Sequence, residues 1–364
     1  MKIKYPVYQP NLSGNEKKYV NDCLDSTWIS SKGKYIELFE KQFADYLNIK
    51  YAVGVCNGTV ALHLALVALG VGEGDEVIVP SFTYIASVNS ITYTGAKPVF
   101  ADCLKDTWQV DPKDIENKIT DKTKAIMPVH IYGHTCDMEQ IMTIAGKHDL
   151  LVVEDCAEAF GSKLKNNFAG SFGDISTFSF FGNKTITTGE GGMVVTNNQK
   201  LFEITQHYKG QGLAKSREYW HDVVGYNYRM TNICAAIGLA QLERADEIIS
   251  KKRKLAEWYN RELCNLPLQL HSEAENVLHS YWMYNIMTEN IEVRDELRQH
   301  LRNFGIDTRP SFFPAHAMPI YLKYSCNLPV TNDIAYRGIN LPSYPDLTED
   351  DIIYISNTIK GYFS

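Results

Sequence analysis

The chain has 364 residues, of which 45% are hydrophobic and 22% are charged, as is ordinary for a globular protein. At roughly 100–200 residues per domain, this length predicts two domains. The formal net charge of −7 gives the surface no general attraction for nucleic acid or anionic lipid. A bound anion must therefore be held by a local site.

The eight cysteines lie far apart, without a CxxC pair or the spacing of zinc ligands, so no metal site is predicted. The start, MKIKYPVYQP, lacks the apolar segment of a signal peptide. No apolar run reaches the roughly 18 residues that a membrane span needs. Scattered thiols without an export signal predict a cytoplasmic location, with neither membrane nor nucleic acid as a partner.

The first part of the chain predicts helices and then a sheet. Ser13 and Glu16 have the spacing of a capping box at the start of a first helix, and apolar residues predict a second helix near 35–46. From residue 51, the short apolar strands YAVGV, EVIVP, PVFAD, KAIMPVHI and LLVVED alternate with helical stretches. This alternation predicts an α/β fold with a mostly parallel sheet flanked by helices, and ligands bind such sheets at the carboxyl ends of the strands.

The pattern changes after about residue 230. Residues 230–263 predict a nearly continuous helix that links two domains. A smaller α/β segment follows, with a strand in YWMYNIMT, a helix near 293–304 and a last helix that starts at Thr348. We therefore expect a large domain over residues 1–245 and a small C-terminal domain over residues 246–364.

Asp155 ends the buried strand LLVVED. A carboxylate at such a place is poorly solvated and favours a cationic partner. A protonated pyridine nitrogen would be one, and an ionised aspartate would keep that ring an electron sink. The alternative is that Asp155 caps a helix that follows, and the residue taken alone favours this alternative.

Lys184 lies in the stretch SFFGNKTITTGEGG, in a turn behind a short aromatic strand. A desolvated lysine amine has a lowered pKa and can attack a carbonyl to form a Schiff base. The alternative is a solvated lysine in a surface turn, which is the more common environment of a lysine.

Two further features follow predicted strands. Asn57, Gly58 and Thr59 join a strand to a helix, where free N–H groups and a glycine suit a phosphate. There is no GxxxxGKS/T or GxGxxG motif for a nucleotide. Tyr84 either stacks on a flat ring or belongs to the core. Together with Lys184 and Asp155, these features supply the parts that pyridoxal phosphate (PLP) requires.

Several stretches in this order resemble one known family. They are NGTVALHLAL, PSFTYIASVN, GAKPVFAD, VHIYGH, VEDCAEAFGS, SFFGNKTITTGEGG, GYNYRMTNICAAIGLAQL and LPSYPDLTEDD. The chain is similar over nearly its whole length to the DegT/DnrJ/StrS-type sugar aminotransferases. The resemblance implies the aspartate-aminotransferase (type I) PLP fold and a homodimer with active sites shared across the interface.

The resemblance also implies roles for single residues. Lys184 matches the lysine that binds PLP covalently, and Asp155 matches the aspartate on the pyridine nitrogen. The other matches are Gly58, Thr59 and Ser179 with the phosphate, Tyr84 with the face of the ring, Asn227 with the phosphate in the neighbouring subunit, and His316 and Tyr321 with the sugar nucleotide.

Glu158 departs from the family, because many members have Gln or His at this position near the phenolic oxygen of the cofactor. A carboxylate beside a phenolate is repelled unless one of the two carries a proton. We therefore interpret Glu158 as a group that shares a proton with that oxygen.

The stretches around Lys184 and Asn227 most resemble family members that act on GDP-4-keto-6-deoxy-D-mannose. The resemblance implies transfer of an amino group from L-glutamate to C4 of that sugar. A UDP- or dTDP-linked keto sugar is an alternative substrate. A dehydratase of the same fold would have histidine in place of Lys184, and a non-catalytic sensor would usually carry an added segment.

Overall fold

The computed structural model describes residues 2–364 and contains helices and strands throughout. The helices are α1 (Glu16–Asp25), α2 (Lys34–Leu47), α3 (Gly58–Ala68), α4 (Ile85–Tyr93), α5 (Pro112–Asn117), α6 (Met138–His148), α7 (Gln199–Lys209), α8 (Asn232–Leu242), α9 (Ala245–Leu263), α10 (Ile291–Asn303), α11 (Pro329–Ala335) and α12 (Glu349–Phe363). The strands are β1 (Tyr51–Val55), β2 (Glu76–Pro80), β3 (Lys97–Ala101), β4 (Thr123–Ile126), β5 (Leu151–Asp155), β6 (Lys163–Leu164), β7 (Asn167–Phe168), β8 (Ile175–Ser179), β9 (Gly192–Thr196), β10 (Gln269–Leu270), β11 (Val277–Leu278), β12 (Tyr284–Met287), β13 (Arg309–Pro310) and β14 (Gly338–Leu341).

A seven-stranded sheet forms the centre of the larger part, in the order β1-β9-β8-β5-β4-β2-β3. Neighbours from β8 to β3 pair in parallel, whereas β9 is antiparallel to both β1 and β8. The strands read as apolar runs because helices cover both faces of the sheet; all five residues of β2, for example, are buried. The predicted mostly parallel α/β sheet is confirmed.

The predicted capping box at Ser13 is wrong. Helix α1 begins at Glu16, and the Ser13 hydroxyl donates a hydrogen bond to Asn11 Oδ1 instead. The Glu16 carboxylate is buried, where it accepts a hydrogen bond from the side-chain amide of Gln241 at 2.6 Å. The carboxylate that a capping box would bond to the backbone N–H of Ser13 is thus bound by Gln241 instead. The predicted start of the last helix is confirmed, because Thr348 and Asp351 form a reciprocal capping box.

The nearly continuous helix predicted over 230–263 is present as two helices, because Glu243 and Arg244 separate α8 from α9. Helix α8 is apolar on nearly all sides and packs against α1 and α2. Helix α9 is amphipathic and packs along α12. The two helices thus bury different faces against different partners, and neither proline nor glycine occupies the two residues between them.

A four-stranded antiparallel sheet, in the order β10-β12-β14-β13, forms the smaller part. Helix α9 joins the two parts, since Ala245 lies in the core with α2 and Leu263 lies in the core with α12. Tyr5 packs in the same core as Leu263, so residues near the N-terminus contact the smaller part. The division at residue 245 remains a prediction. No helix within residues 2–364 has both the length and the apolar character to cross a membrane.

Candidate active site

A cavity of 580 Å³ lies at the carboxyl edge of the large sheet, where β1, β2, β5 and β8 end. It brings together residues that are far apart in the chain, as parallel strands do at one edge of a sheet. The predicted site residues that line it are Gly58, Thr59, Tyr84, Asp155, Glu158, Ser179 and Lys184.

The start of α3 forms one end of the cavity. Gly58 and Thr59 are the first helical residues, so their N–H groups have no carbonyl partner within the helix. The Asn57 side chain caps the helix by accepting the N–H of Val60 at 3.0 Å. A Cβ on Gly58 would lie 2.6 Å from Cβ of Ser179, so only glycine allows the hydroxyl of Ser179 to approach the helix start. The N–H groups and this hydroxyl suit a phosphate.

Asp155 is buried at the end of β5. Its Oδ2 accepts a hydrogen bond from the Ser87 hydroxyl at 2.7 Å, and its Oδ1 accepts the N–H of Ala157 at 3.0 Å. Residues 156–162 form turns, so the carboxylate caps a turn and not a helix. Burial raises the pKa of Asp155, and a cation such as a protonated pyridine nitrogen would stabilise its ionised form.

The side chain of Lys184 is only 12% exposed, so the alternative of a solvated surface lysine is wrong. Its Nζ lies 3.9 Å from Oε1 of Glu158. Burial lowers the pKa of the Lys184 amine, while the carboxylates of Glu158 and Asp155 oppose that shift. A buried amine of lowered pKa is suited to attack a carbonyl carbon.

Glu158 lies between Lys184 and the backbone of Tyr132. Its Oε2 accepts the N–H of Tyr132 at 2.7 Å. Tyr132 has a φ of +58°, a conformation that is uncommon for a bulky residue. Burial raises the pKa of the Glu158 carboxyl to about 7, while the charge of Lys184 acts in the opposite direction. The carboxyl can therefore hold or release a proton near neutral pH.

Tyr84 precedes α4 and its side chain is 57% exposed, so the alternative that it belongs to the core is wrong. Its ring lies on the wall of the cavity, with its centroid 5.7 Å from that of Phe312. An aromatic face that is open to the cavity can cover a flat ring.

Three predicted site residues do not line this cavity in the single chain. Asn227 lies in an exposed loop, where its Oδ1 accepts hydrogen bonds from the guanidinium of Arg229. His316 and Tyr321 are buried; Nδ1 of His316 lies 2.7 Å from Oγ of Ser81, and the Tyr321 hydroxyl donates to Asn89. The ligand contacts predicted for these three residues remain predictions.

Several residues of the site were not among those predicted from the sequence. The Ser87 hydroxyl donates to Asp155, and its position in the first turn of the helix after β2 is a local feature of the sequence that places it at the carboxyl edge of the sheet. Trp282 places its ring centroid 3.9 Å from Nζ of Lys184, and the Tyr8 hydroxyl donates to the Lys184 carbonyl at 2.7 Å. Tyr8 and Trp282 come from distant parts of the chain, and no local motif marks them.

A buried cluster near the end of β5 contains His130, Glu154 and Cys156. Their side-chain atoms that could ligate a metal ion lie within 4.8 Å of one another. Glu154 also accepts hydrogen bonds from the N–H groups of Gly170 and Gly173. His130 Nδ1 accepts the N–H of residue 136, so its Nε2 carries the proton and donates to Glu154 at 3.0 Å. These hydrogen bonds indicate a structural support for the strand end.

A second cavity of 540 Å³ adjoins the first. The two cavities share wall residues, namely Thr83, Tyr84, Asn183, Trp282 and Phe312. Arg309 and Ser311 add a cation and a hydroxyl to the second cavity. A long ligand could thus extend from one cavity into the other.

Comparisons with known proteins agree with this arrangement. The DegT/DnrJ/EryC1/StrS aminotransferase family matches residues 10–360. A GDP-perosamine synthase from Escherichia coli O157:H7 is 61% identical over 363 residues, which cover 100% of both chains. Another from Vibrio cholerae is 53% identical and covers 99% of both chains.

A solved structure from Streptococcus pneumoniae, described as a sugar aminotransferase in its PLP-form, has a TM-score of 0.93 and 30% identity. The similarity covers 98% of this chain and 97% of that chain. The fold, the cavity and these similarities lead to one conclusion: the chain belongs to the DegT/DnrJ/EryC1/StrS aminotransferase family.

Proposed function

We propose that the chain uses PLP to transfer an amino group from L-glutamate to C4 of GDP-4-keto-6-deoxy-D-mannose, which gives GDP-perosamine and 2-oxoglutarate. The observation that carries the proposal is the buried amine of Lys184. It lies in one cavity with Asp155 and with the free N–H groups at Gly58, which suit a phosphate. The identity of 61% to a GDP-perosamine synthase along the full chain supports the choice of substrate.

The residues present fit PLP. Gly58, Thr59 and Ser179 would hold the phosphate, because they combine free N–H groups with a hydroxyl. Asp155 would keep the pyridine nitrogen protonated, and Tyr84 would cover one face of the ring. When bound, PLP supplies an electron sink that stabilises negative charge at the substrate carbon.

Lys184 would move a proton at the reacting carbon, because its amine is buried and its pKa is lowered. Glu158, 3.9 Å away, would hold a proton that the lysine or the phenolic oxygen releases. The aromatic rings of Trp282 and Phe312 would exclude water from this part of the cavity.

The adjoining cavity supports a substrate much larger than an amino acid. Its 540 Å³ lies within the usual range of ligand pockets, roughly 300–1,000 Å³. The nucleotide part of a sugar nucleotide would extend past Tyr84 and Asn183 toward Arg309, whose guanidinium suits a phosphate.

We also propose a homodimer in which Asn227 reaches the phosphate site of the partner. The loop that bears Asn227 exposes large apolar side chains, with Tyr219 92% and Val224 89% exposed. An exposed apolar loop of this kind suits a protein interface. In the single chain, the side-chain amide of Asn227 forms hydrogen bonds with the guanidinium of Arg229 and with no other side chain among residues 2–364.

The test is an absorbance experiment on the purified protein loaded with PLP. L-Glutamate should remove the visible band of the lysine-bound cofactor, and GDP-4-keto-6-deoxy-D-mannose should restore it. Restoration only by a UDP- or dTDP-linked keto sugar would retain the aminotransferase and reject the GDP-sugar. If no visible band forms with added PLP, the role of Lys184 is wrong.

A further inference from the structure

We propose that Trp282 is a positioning residue for Lys184. Its indole N–H holds the backbone of the lysine turn, and its ring face receives the Lys184 amine whenever that amine is not attached to the cofactor. The inference rests on the proposed function, because it assigns Trp282 a part in the use of Lys184.

Two hydrogen-bond donors from other segments of the chain bind the backbone of the turn that contains Lys184. Nε1–H of Trp282 donates to the carbonyl of Asn183 at 2.7 Å, and the Tyr8 hydroxyl donates to the carbonyl of Lys184 at 2.7 Å. Burial raises the pKa of Tyr8, so its hydroxyl stays a donor at neutral pH. Two successive carbonyls are thus held by residues from two distant segments of the chain, and these contacts position the backbone from which the lysine side chain extends.

The amine of Lys184 lies over the face of the Trp282 ring, with Nζ 3.9 Å from the ring centroid. The ring face is electronegative and attracts a cation, most strongly where water is excluded. Trp282 is buried and lies nearly parallel to Tyr132 and Phe312, at interplanar angles of 13° and 16°. The ring therefore cannot easily turn away from the lysine.

This contact suits a lysine that must leave the cofactor and return to it. Burial destabilises the ammonium form of Lys184, and both the Trp282 ring and the Glu158 carboxylate oppose that effect. An amine held at one place beside the cavity stays close to the reacting carbon, and such preorganisation raises the rate of the proton transfer.

The test replaces Trp282 by 4,5,6,7-tetrafluorotryptophan in the full-length chain. Fluorine withdraws electron density from the ring face but nearly preserves the size of the ring and its N–H. The pH dependence of reductive methylation of Lys184 is then measured in the cofactor-free protein by peptide mass spectrometry. The midpoint should move about one pH unit lower, because the ammonium loses its cation–π partner.

The matched control is the same fluorinated residue at Trp258, which packs against the core of the smaller part. This control should keep the wild-type midpoint. An equal midpoint in the wild type and the Trp282-fluorinated protein would overturn the proposal. The methylation requires no sugar substrate, so it decides the inference even if the proposed sugar is rejected.

A second variant tests the backbone contact. Trp282→Phe retains a ring face but loses the donor to Asn183, so kcat should fall about tenfold while KM for the sugar nucleotide stays near the wild-type value. Trp258→Phe should keep both constants near the wild type. A change in KM alone for Trp282→Phe would contradict a positioning role.

Discussion

At the scale of single residues, the proposed phosphate site at the start of α3 depends on Gly58 because glycine has no side chain. The Oγ of Ser179 would lie 2.9 Å, and its Cβ 2.6 Å, from a Cβ at this position. Either the hydroxyl or the start of α3 would have to move to admit that methyl group. Both would then leave the positions that suit a phosphate.

We therefore expect Gly58→Ala to weaken PLP binding by about 10- to 100-fold, as lost charge-assisted hydrogen bonds would. The measurement is an absorbance titration of the cofactor-free protein with PLP. The matched control is Gly146→Ala in α6, where an added Cβ meets no heavy atom within 4 Å among residues 2–364 other than its chain neighbours and the adjacent backbone of its own helix. Equal affinity in both variants would contradict the phosphate site.

Glu158 supports a second prediction at this scale. If PLP binds as proposed, Glu158→Gln removes a negative charge that would lie near the phenolic oxygen of the cofactor and near the Lys184 nitrogen bonded to it. The protonated form of the bound cofactor would then lose a stabilising partner. The pH midpoint of the visible absorbance should move about one unit lower. Glu139→Gln, on the exposed side of α6, is the control. An unchanged midpoint for Glu158→Gln would argue against direct contact with the cofactor.

At the scale of elements, three buried histidines join the loop after β4 to the segment between β10 and β12. His134 Nε2 accepts the N–H of Ala274, so its Nδ1 carries the proton and donates to the carbonyl of residue 135. His279 Nδ1 accepts the N–H of Tyr281, so its Nε2–H points to His271 Nδ1. Every ring nitrogen has one role only if all three rings are neutral.

The pKa values of these histidines agree with neutral rings. Burial lowers the pKa of His134 to about 4 and that of His271 to about 3, and it lowers the pKa of His279 well below its usual value. An unfolded histidine titrates near pH 6.5, so the unfolded chain binds more protons below that pH. The stability that these groups contribute is present above about pH 6.5 and is lost as the pH falls toward the folded values.

We expect each of these three histidines to contribute a loss of about 2 kcal/mol in the free energy of unfolding between pH 6.5 and 5. Urea unfolding at the two pH values measures it. His271→Gln has no titrating ring at this position but retains a donor for the carbonyl of Thr107. The free energy of unfolding of this variant should therefore fall by about 2 kcal/mol less than that of the wild type over the same pH range. Equal losses in the two proteins would contradict a neutral buried His271.

At the scale of the whole molecule, the proposed sharing of active sites between subunits can be tested with mixed dimers. Lys184→Ala inactivates its own site, whereas Asn227→Ala would impair the site of the partner. In a mixed dimer, one site would carry both defects and the other neither. A 1:1 mixture after subunit exchange should therefore recover roughly a quarter of the wild-type activity, from two nearly inactive proteins.

Activity measured after co-refolding of the two variants tests this prediction. Size-exclusion chromatography coupled to light scattering checks that dimers have formed. If Asn227 acts within its own chain, or if the protein is a monomer, no mixture regains activity. A mixture of Lys184→Ala with wild type is the control, because it should only dilute the activity.

The class of fold and several central residues of the cavity could be predicted from the amino-acid sequence alone. Alternating apolar runs predicted the parallel sheet, and strand ends predicted Asp155, Gly58 and Lys184 at one edge. These predictions succeed because side-chain burial in strands and the start of a helix are local properties. The parallel order of the strands then brings their ends together without further information.

The surroundings of Lys184, in contrast, depend on contacts with distant segments of the chain. Tyr8 and Trp282 contact the Lys184 turn from segments about 176 and 98 residues away in the chain, and local patterns carry no signal for such contacts. The break between α8 and α9 and the buried role of Glu16 likewise depend on neighbours distant in sequence. Helix and strand propensities and the spacing of apolar residues indicate which secondary structure a segment can form. The packing of segments against one another determines which residues each side chain contacts.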